Sequence, residues 1–245
     1  MHRIHGFMLA VAALTLVSGA SCVHAQDTNR PVAGGGITVP GWMGRIDPKE
    51  LRGGEKLENA RLTKDGDALH VTTGPAVAYW NPENTARGDY TVKATFKEAR
   101  YMNLNTHPHP YGIFIAGNEM GTDRQSYLYC AAYGNGTFIV RGFGPEAFQL
   151  NGRRGEANEA VNKAAAKDQP VSQEIAVSVK GGDVSCAING KVVGTYKKAD
   201  VVGTGKLKST DGVYGVRFGQ LPRTFHRAVT FRYPSTLPQW VMRPP

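Results

Sequence analysis

Short runs of alternating apolar and polar residues, each ended by glycine, proline or an Asn-Gly pair, recur along most of this chain. A chain of that kind can bury its apolar side chains only by pairing strands into sheets and laying one sheet on another. The clear runs are Asp67–Thr73, Ala76–Trp80, Asp89–Glu98, Tyr111–Ala116, Ser126–Tyr133 and Thr137–Arg141. Gln173–Lys180, Val184–Ile188, Lys191–Val193, Val213–Phe218 and Ala228–Tyr233 complete them. In Asp89–Glu98, Tyr90, Val92, Ala94 and Phe96 alternate with Thr91, Lys93, Thr95 and Lys97, so one face suits a core and the other water. Asn135-Gly136 and Asn189-Gly190 suit tight type I′ hairpin turns. Only Glu156–Lys167, rich in Ala, Glu and Lys, reads as helical. Strands do not alternate with helices and no fixed-period repeat is visible, which excludes α/β, propeller and solenoid folds. The prediction is an all-β chain, a two-sheet antiparallel β-sandwich with one short helical excursion.

The first 25 residues have the pattern of a signal peptide. His2, Arg3 and His5 precede an apolar run from Phe7 to Val17, and Val23-His24-Ala25 is a small-residue cleavage site. The run is shorter than the roughly 20 residues a membrane span needs. Cys22 invites a lipoprotein reading, but Gly19 stands where a lipobox carries an apolar residue, so cleavage after Ala25 is the expectation. The mature chain is then secreted or periplasmic. Residues 26–45, with Gly34-Gly35-Gly36 and Pro40-Gly41, read as a flexible leader, 46–233 as the sandwich domain, and 234–245 as a Pro-rich strap.

Export bears on the cysteines, since Cys130 and Cys186 sit mid-strand and an oxidising compartment lets them pair. The alternative is two small buried hydrophobes. The whole chain carries 29 Lys and Arg against 20 Asp and Glu, and residues 1–25 hold only one of those charges, an arginine. The basic residues come in scattered pairs such as Arg153-Arg154 and Lys197-Lys198, never in a long run, which fits a basic surface better than a nucleic-acid site.

Several motif-like strings fail on context. Arg141-Gly142-Phe143-Gly144 resembles an RNA-binding signature and Gly142-x-Gly144-x-x-Ala147 a dinucleotide fingerprint, but Pro145 and the all-β setting remove the strand or helix that each requires. Asn135-Gly136-Thr137 satisfies a glycosylation sequon, yet a hairpin turn explains it. His107 and His109 share one side of an extended segment, but two imidazoles do not close a zinc site, and no metal or cofactor is expected. The chain contains no Gly-x-Ser-x-Gly and no alternating acid string for glycoside hydrolysis, so a hydrolase would have to draw acids from separate strands and loops, with Glu119, Asp123 and Asp211 as candidates.

Thr73-Gly74-Pro75-Ala76 with Tyr79-Trp80, Gly88-Asp89-Tyr90, His107-Pro108 with Tyr111-Gly112-Ile113-Phe114, Ile188-Asn189-Gly190 and Asp211-Gly212-Val213-Tyr214-Gly215 resemble bacterial laminin G-like domains of the concanavalin A-like lectin/glucanase superfamily. The resemblance implies a jelly roll and a carbohydrate or cell-surface glycan as ligand, with glycoside or keto-sugar hydrolysis as an alternative and a structural envelope role as a second. Sugar binding needs aromatic faces beside directed polar groups. Tyr127 and Tyr129 belong to the aromatic candidates, and the expected ligand residues are Trp80, His107, His109, Tyr111, Asn118 and Arg141.

Overall fold

A computed structural model of the chain describes residues 32–102, 109–220 and 227–232. The signal segment, His107 and the strap over 234–245 lie outside the described residues. The strands run in chain order from β1 (Gly36–Ile37), β2 (Met43–Ile46), β3 (Arg61–Asp65) and β4 (Ala68–Thr73) to β5 (Val77–Ala86) and β6 (Tyr90–Glu98). β7 (Tyr111–Asn118), β8 (Ser126–Ala132) and β9 (Thr137–Phe143) form a meander, followed by the short β10 (Ala147–Gln149) and β11 (Glu156–Ala157). β12 (Val171–Lys180), β13 (Asp183–Ile188), β14 (Lys191–Lys197), β15 (Gly212–Phe218) and β16 (Arg227–Arg232) end the set. Two short helices, α1 (Pro48–Arg52) and α2 (Lys198–Val201), interrupt them.

Two sheets result, and together they make a jelly-roll β-sandwich. The first has the order β1-β3-β4-β16-β6-β12-β13-β14, the second β10-β9-β8-β7-β15-β5-β2 with β11 added beside β9. Among the strand pairs of the described residues, β1–β3 is parallel and the others are antiparallel. Alternation builds the first sheet as expected. On β6, Tyr90, Val92, Ala94 and Phe96 point inward, and Val177 and Ile175 of β12 pair with Val92 and Ala94 on the same face. Aromatic rings then bridge the layers: Phe96 packs 5.5 Å from Tyr111 and 6.5 Å from Phe218 of the opposite sheet.

The second sheet departs from simple alternation. Every residue of β8 is buried, as are the first seven of β7. Leu128, Cys130 and Ala132 enter the core between the sheets, whereas Tyr127, Tyr129 and Ala131 enter a second apolar cluster on the opposite face. The glycines of the two Tyr-Gly pairs allow close approach within this sheet. A Cβ on Gly112 would stand 2.0 Å from the Cys130 carbonyl oxygen, and one on Gly215 2.2 Å from that of Tyr79.

Three expectations are corrected by the structure. The described part of the leader is not loose, because β1 joins the edge of one sheet and β2 the edge of the other, pairing with β5. Segment 156–167 is not helical. It begins as β11, and the Asn158 and Asn162 side chains tie into backbone amides and carbonyls nearby, a local competition that disfavours helix. The two Asn-Gly turns also differ. Asn189 and Gly190 both have positive φ, at 51° and 81°, as type I′ demands, whereas at Asn135-Gly136 only the glycine does and the Asn135 side chain accepts from the Thr137 amide.

Cys130 on β8 and Cys186 on β13 form a disulfide that joins the two sheets, with their Cα atoms 6.1 Å apart. It closes a 56-residue separation, for which loop-closure entropy amounts to about 4 kcal/mol. Replacing both cysteines by alanine is expected to lower the unfolding free energy by about that amount in urea titrations.

Candidate functional site

The outer face of the second sheet is the floor of an open cleft of about 840 Å³. Strand register assembles that floor. Arg141 of β9 lies opposite Tyr129 of β8, Tyr129 opposite Phe114 of β7, Phe114 opposite Gly215 of β15, and Gly215 opposite Trp80 of β5. Gly215 leaves room for the Phe114 ring. A parallel row sets Arg217 between Ala78 and Gly112, two residues too small to lift its side chain off the sheet. The walls come from connections between strands: Asp47 with Pro48, Lys49, Glu50 and Arg52 of α1 on one side, and His109, Asp123, Gln125, Pro145 and Arg153 elsewhere.

The ring cluster is tight. Phe143 stacks on Tyr129 with 6.0 Å between centroids and 17° between planes, Tyr127 lies 5.2 Å from Phe143, and Phe114 lies 5.0 Å from Tyr127. Arg217, only 4% exposed, carries its guanidinium 5.8 Å from the Tyr129 ring and 5.7 Å from the Phe143 ring. It donates to the Asp47 carboxylate and, at 2.7 Å, to the Phe218 carbonyl. Burial alone would lower its pKa, but Asp47 and the two tyrosines outweigh burial and hold it charged. Arg141 places its guanidinium 5.2 Å above Phe143.

Two features of this cleft fit a polar ligand. The buried Tyr127 hydroxyl and the Arg217 Nε have no hydrogen-bond partner among the described residues, a state buried polar groups rarely keep. Glu50 is also buried, and that burial, followed by the nearby Asp47 and Glu55 charges, pushes its carboxyl above the usual range. Burial likewise raises the phenols of Tyr127 and Tyr129.

The structure separates the predicted site residues. Arg141, His109 and Asp123 line the cleft, although Asp123 is almost fully exposed and paired with Arg45. Trp80, Asn118 and Glu119 line a second depression of about 460 Å³ at the other end of the aromatic row. There Trp80 is 2% exposed and covered by its neighbours, and the Asn118 amide donates to the Ala116 and Asp211 carbonyls. Glu119 is held low in pKa by hydrogen bonds from Lys208 and Arg124, which suits an ion pair and not a proton donor. Asp211 accepts from the Gly88 amide across a turn. Tyr111 lies in the core between the sheets and is out of reach of either depression. Asp47, Glu50 and Arg217 were not anticipated, whereas Gln125 ends the polar loop 118–125 that follows the Tyr111 strand. The signal for Arg217 was present, a lone cation inside the apolar run Val213–Phe218.

Among the described residues no group of three or more His, Cys, Asp or Glu is placed to hold a metal ion, and no helix is long and apolar enough to cross a membrane. No family model and no curated protein sequence matches the chain. Among solved structures it is similar to the carbohydrate binding module CBM66 from Bacillus subtilis, at 6% identity over 81% of this chain and 96% of that one, with a TM-score of 0.49. It is also similar to the laminarinase catalytic domain from Thermotoga maritima MSB8, at 11% identity over 81% and 93%, TM-score 0.49. A third is a Bacillus subtilis protein of unknown function with a galectin-like fold, at 12% identity over 78% and 86%, TM-score 0.46. The site is therefore argued from its own geometry.

Two outcomes test that geometry. Asp47→Ala leaves Arg217 buried without its counter-ion and is expected to cost about 3 kcal/mol or more in chemical denaturation. Glu50→Gln is expected to raise the melting temperature at pH 8, because the ionised carboxylate is disfavoured where it sits. The native state binds the Glu50 proton more tightly than the unfolded chain does, so the wild type gains stability as pH falls through the raised value toward 4.5. The difference between the two proteins should close by about pH 4.

Proposed function

We propose that this chain is an exported, concanavalin A-like jelly roll that binds a saccharide in the cleft over its second sheet. The observation that carries the reading is the partly buried Phe143 ring, held from below by Tyr129 and Tyr127, in a cleft lining that also holds Arg141, Gln125, His109 and Glu50. Apolar ring faces suit the C–H faces of sugars, and convergent polar groups fix hydroxyl directions. Export is supported by the Cys130–Cys186 disulfide, which calls for an oxidising compartment. A structural envelope role would gain ground if the 153–167 insertion filled this face. Of that segment only Arg153 lines the cleft, while Ala160, Val161 and Ala164 pack into the body of the sandwich.

Hydrolysis remains a second reading because of one observation, the raised carboxyl of Glu50 beside Asp47 in the cleft wall. A carboxyl that burial shifts upward is the type of group that donates to a glycosidic oxygen. Glu119 and Asp211 sit away from this cleft and do not serve it.

Calorimetric titration with an oligosaccharide panel is expected to find a ligand whose affinity falls at least tenfold in Tyr129→Ala and stays within about twofold in Trp80→Ala, with melting curves confirming that both variants fold. A panel without a binder would end the saccharide reading. Slow release of reducing ends from a bound oligosaccharide, lost in Glu50→Gln with binding retained, would select the hydrolase.

A further inference from the structure

We propose that the saccharide recognised in this cleft is anionic, carrying carboxylate or sulfate groups. The inference rests on the saccharide reading above and specifies its chemistry. Five cations line the cleft, Lys49, Arg52, Arg141, Arg153 and Arg217, against three acids, Asp47, Glu50 and Asp123. Only one of the five is cancelled by these acids, Arg217 by Asp47, which leaves Lys49, Arg52, Arg141 and Arg153. Asp47 is committed to Arg217, and Asp123 to Arg45, which is not part of the lining. Glu50 is buried next to Asp47 and Glu55 and so disfavours its charged form. Lys49, Arg52, Arg141 and Arg153 form no ion pair among the described residues.

Position strengthens this excess. A recessed surface with an apolar floor focuses the field of its charges and concentrates counter-ions. Arg141 rises from that floor with its guanidinium carbon 5.2 Å from the centre of the Phe143 ring, a contact that restricts its swing. A planar fork held in place matches the two oxygens of a carboxylate or sulfate. The partly buried Phe143 ring beneath it gives the same spot an apolar surface. A uronic acid or a sulfated sugar meets both demands, since it lays a ring face on the aromatics and turns an anionic group toward Arg141.

Three probes test this by calorimetry: a galacturonate trisaccharide, the same trisaccharide with its carboxyls reduced, and a 6-sulfated galactose trisaccharide. The expected result is that at least one charged trimer binds tenfold or more tighter than the neutral one at low salt, and that the preference shrinks in 0.5 M NaCl, where the Debye length falls to about 4 Å. Preference for the galacturonate identifies carboxylate as the recognised group, and preference for the sulfated trimer identifies sulfate. Arg141→Gln is expected to weaken binding of the preferred charged trimer at least fivefold more than binding of the neutral one, so that most of the charge preference is lost. Equal binding of charged and neutral trimers would overturn the anionic inference and leave saccharide binding intact. Loss of binding to all three, together with an empty oligosaccharide panel, would remove the saccharide reading as well. The salt dependence is read on the wild-type protein and holds even if Arg141→Gln fails to fold.

Discussion

A sheet that packs one side against a partner must still dispose of its other side. In most sandwiches that side is polar and meets water. Here the outer side of the second sheet carries Tyr127, Tyr129, Phe114, Phe143 and Trp80, and the chain has to supply cover for them. The cover comes from connections between strands: the α1 segment, the loop after β7 and the entry to β7 at His109. Because loops arch over a sheet without filling it, the result is a rimmed cleft over rings. The architecture of the site follows from that double-sided burial.

The same constraint explains the ion pair at the centre. Arg217 sits on the outer, cleft-floor side of β15 and is nonetheless only 4% exposed, so its charge is stable only with a partner inside the fold. Asp47 provides one from the turn before α1, and the Tyr129 and Phe143 rings cover the guanidinium on its apolar sides. That contact fixes α1 against the sheet, and α1 in turn brings Glu50, Lys49 and Arg52 to the cleft wall. One buried pair thus positions most of the charged groups available to a ligand. Across the core, the Cys130–Cys186 bridge ties the strand that bears Tyr127 and Tyr129 to the opposite sheet.

Much of the fold was legible because strand alternation is local. The β6 pattern, the Asn189-Gly190 turn and the apolar runs of β7 and β8 each depend on neighbours two residues apart. The helical reading of 156–167 failed where side-chain amides competed with the backbone, an effect that composition does not display. The leader was misread for a related reason. Glycine and proline mark segments that cannot stabilise themselves, but the edges of two completed sheets gave Gly36–Ile37 and Met43–Ile46 partners.

By itself the sequence determined an all-β chain, its strand spans and the aromatic supply of its middle third, since these follow from short-range periodicity. Only the tertiary structure decided which aromatics face the core and which face a cleft. Tyr111 and Tyr129 look alike in their strands, yet register sends the first between the sheets and the second to the cleft floor. It also decided which acids matter. Glu119 is drawn into surface ion pairs, while Asp47 and Glu50, from a segment with no motif, arrive at the cleft because Arg217, 170 residues from Asp47, needs a counter-ion there. Pairing across such separations is set by packing and charge burial in three dimensions, to which sequence spacing is blind.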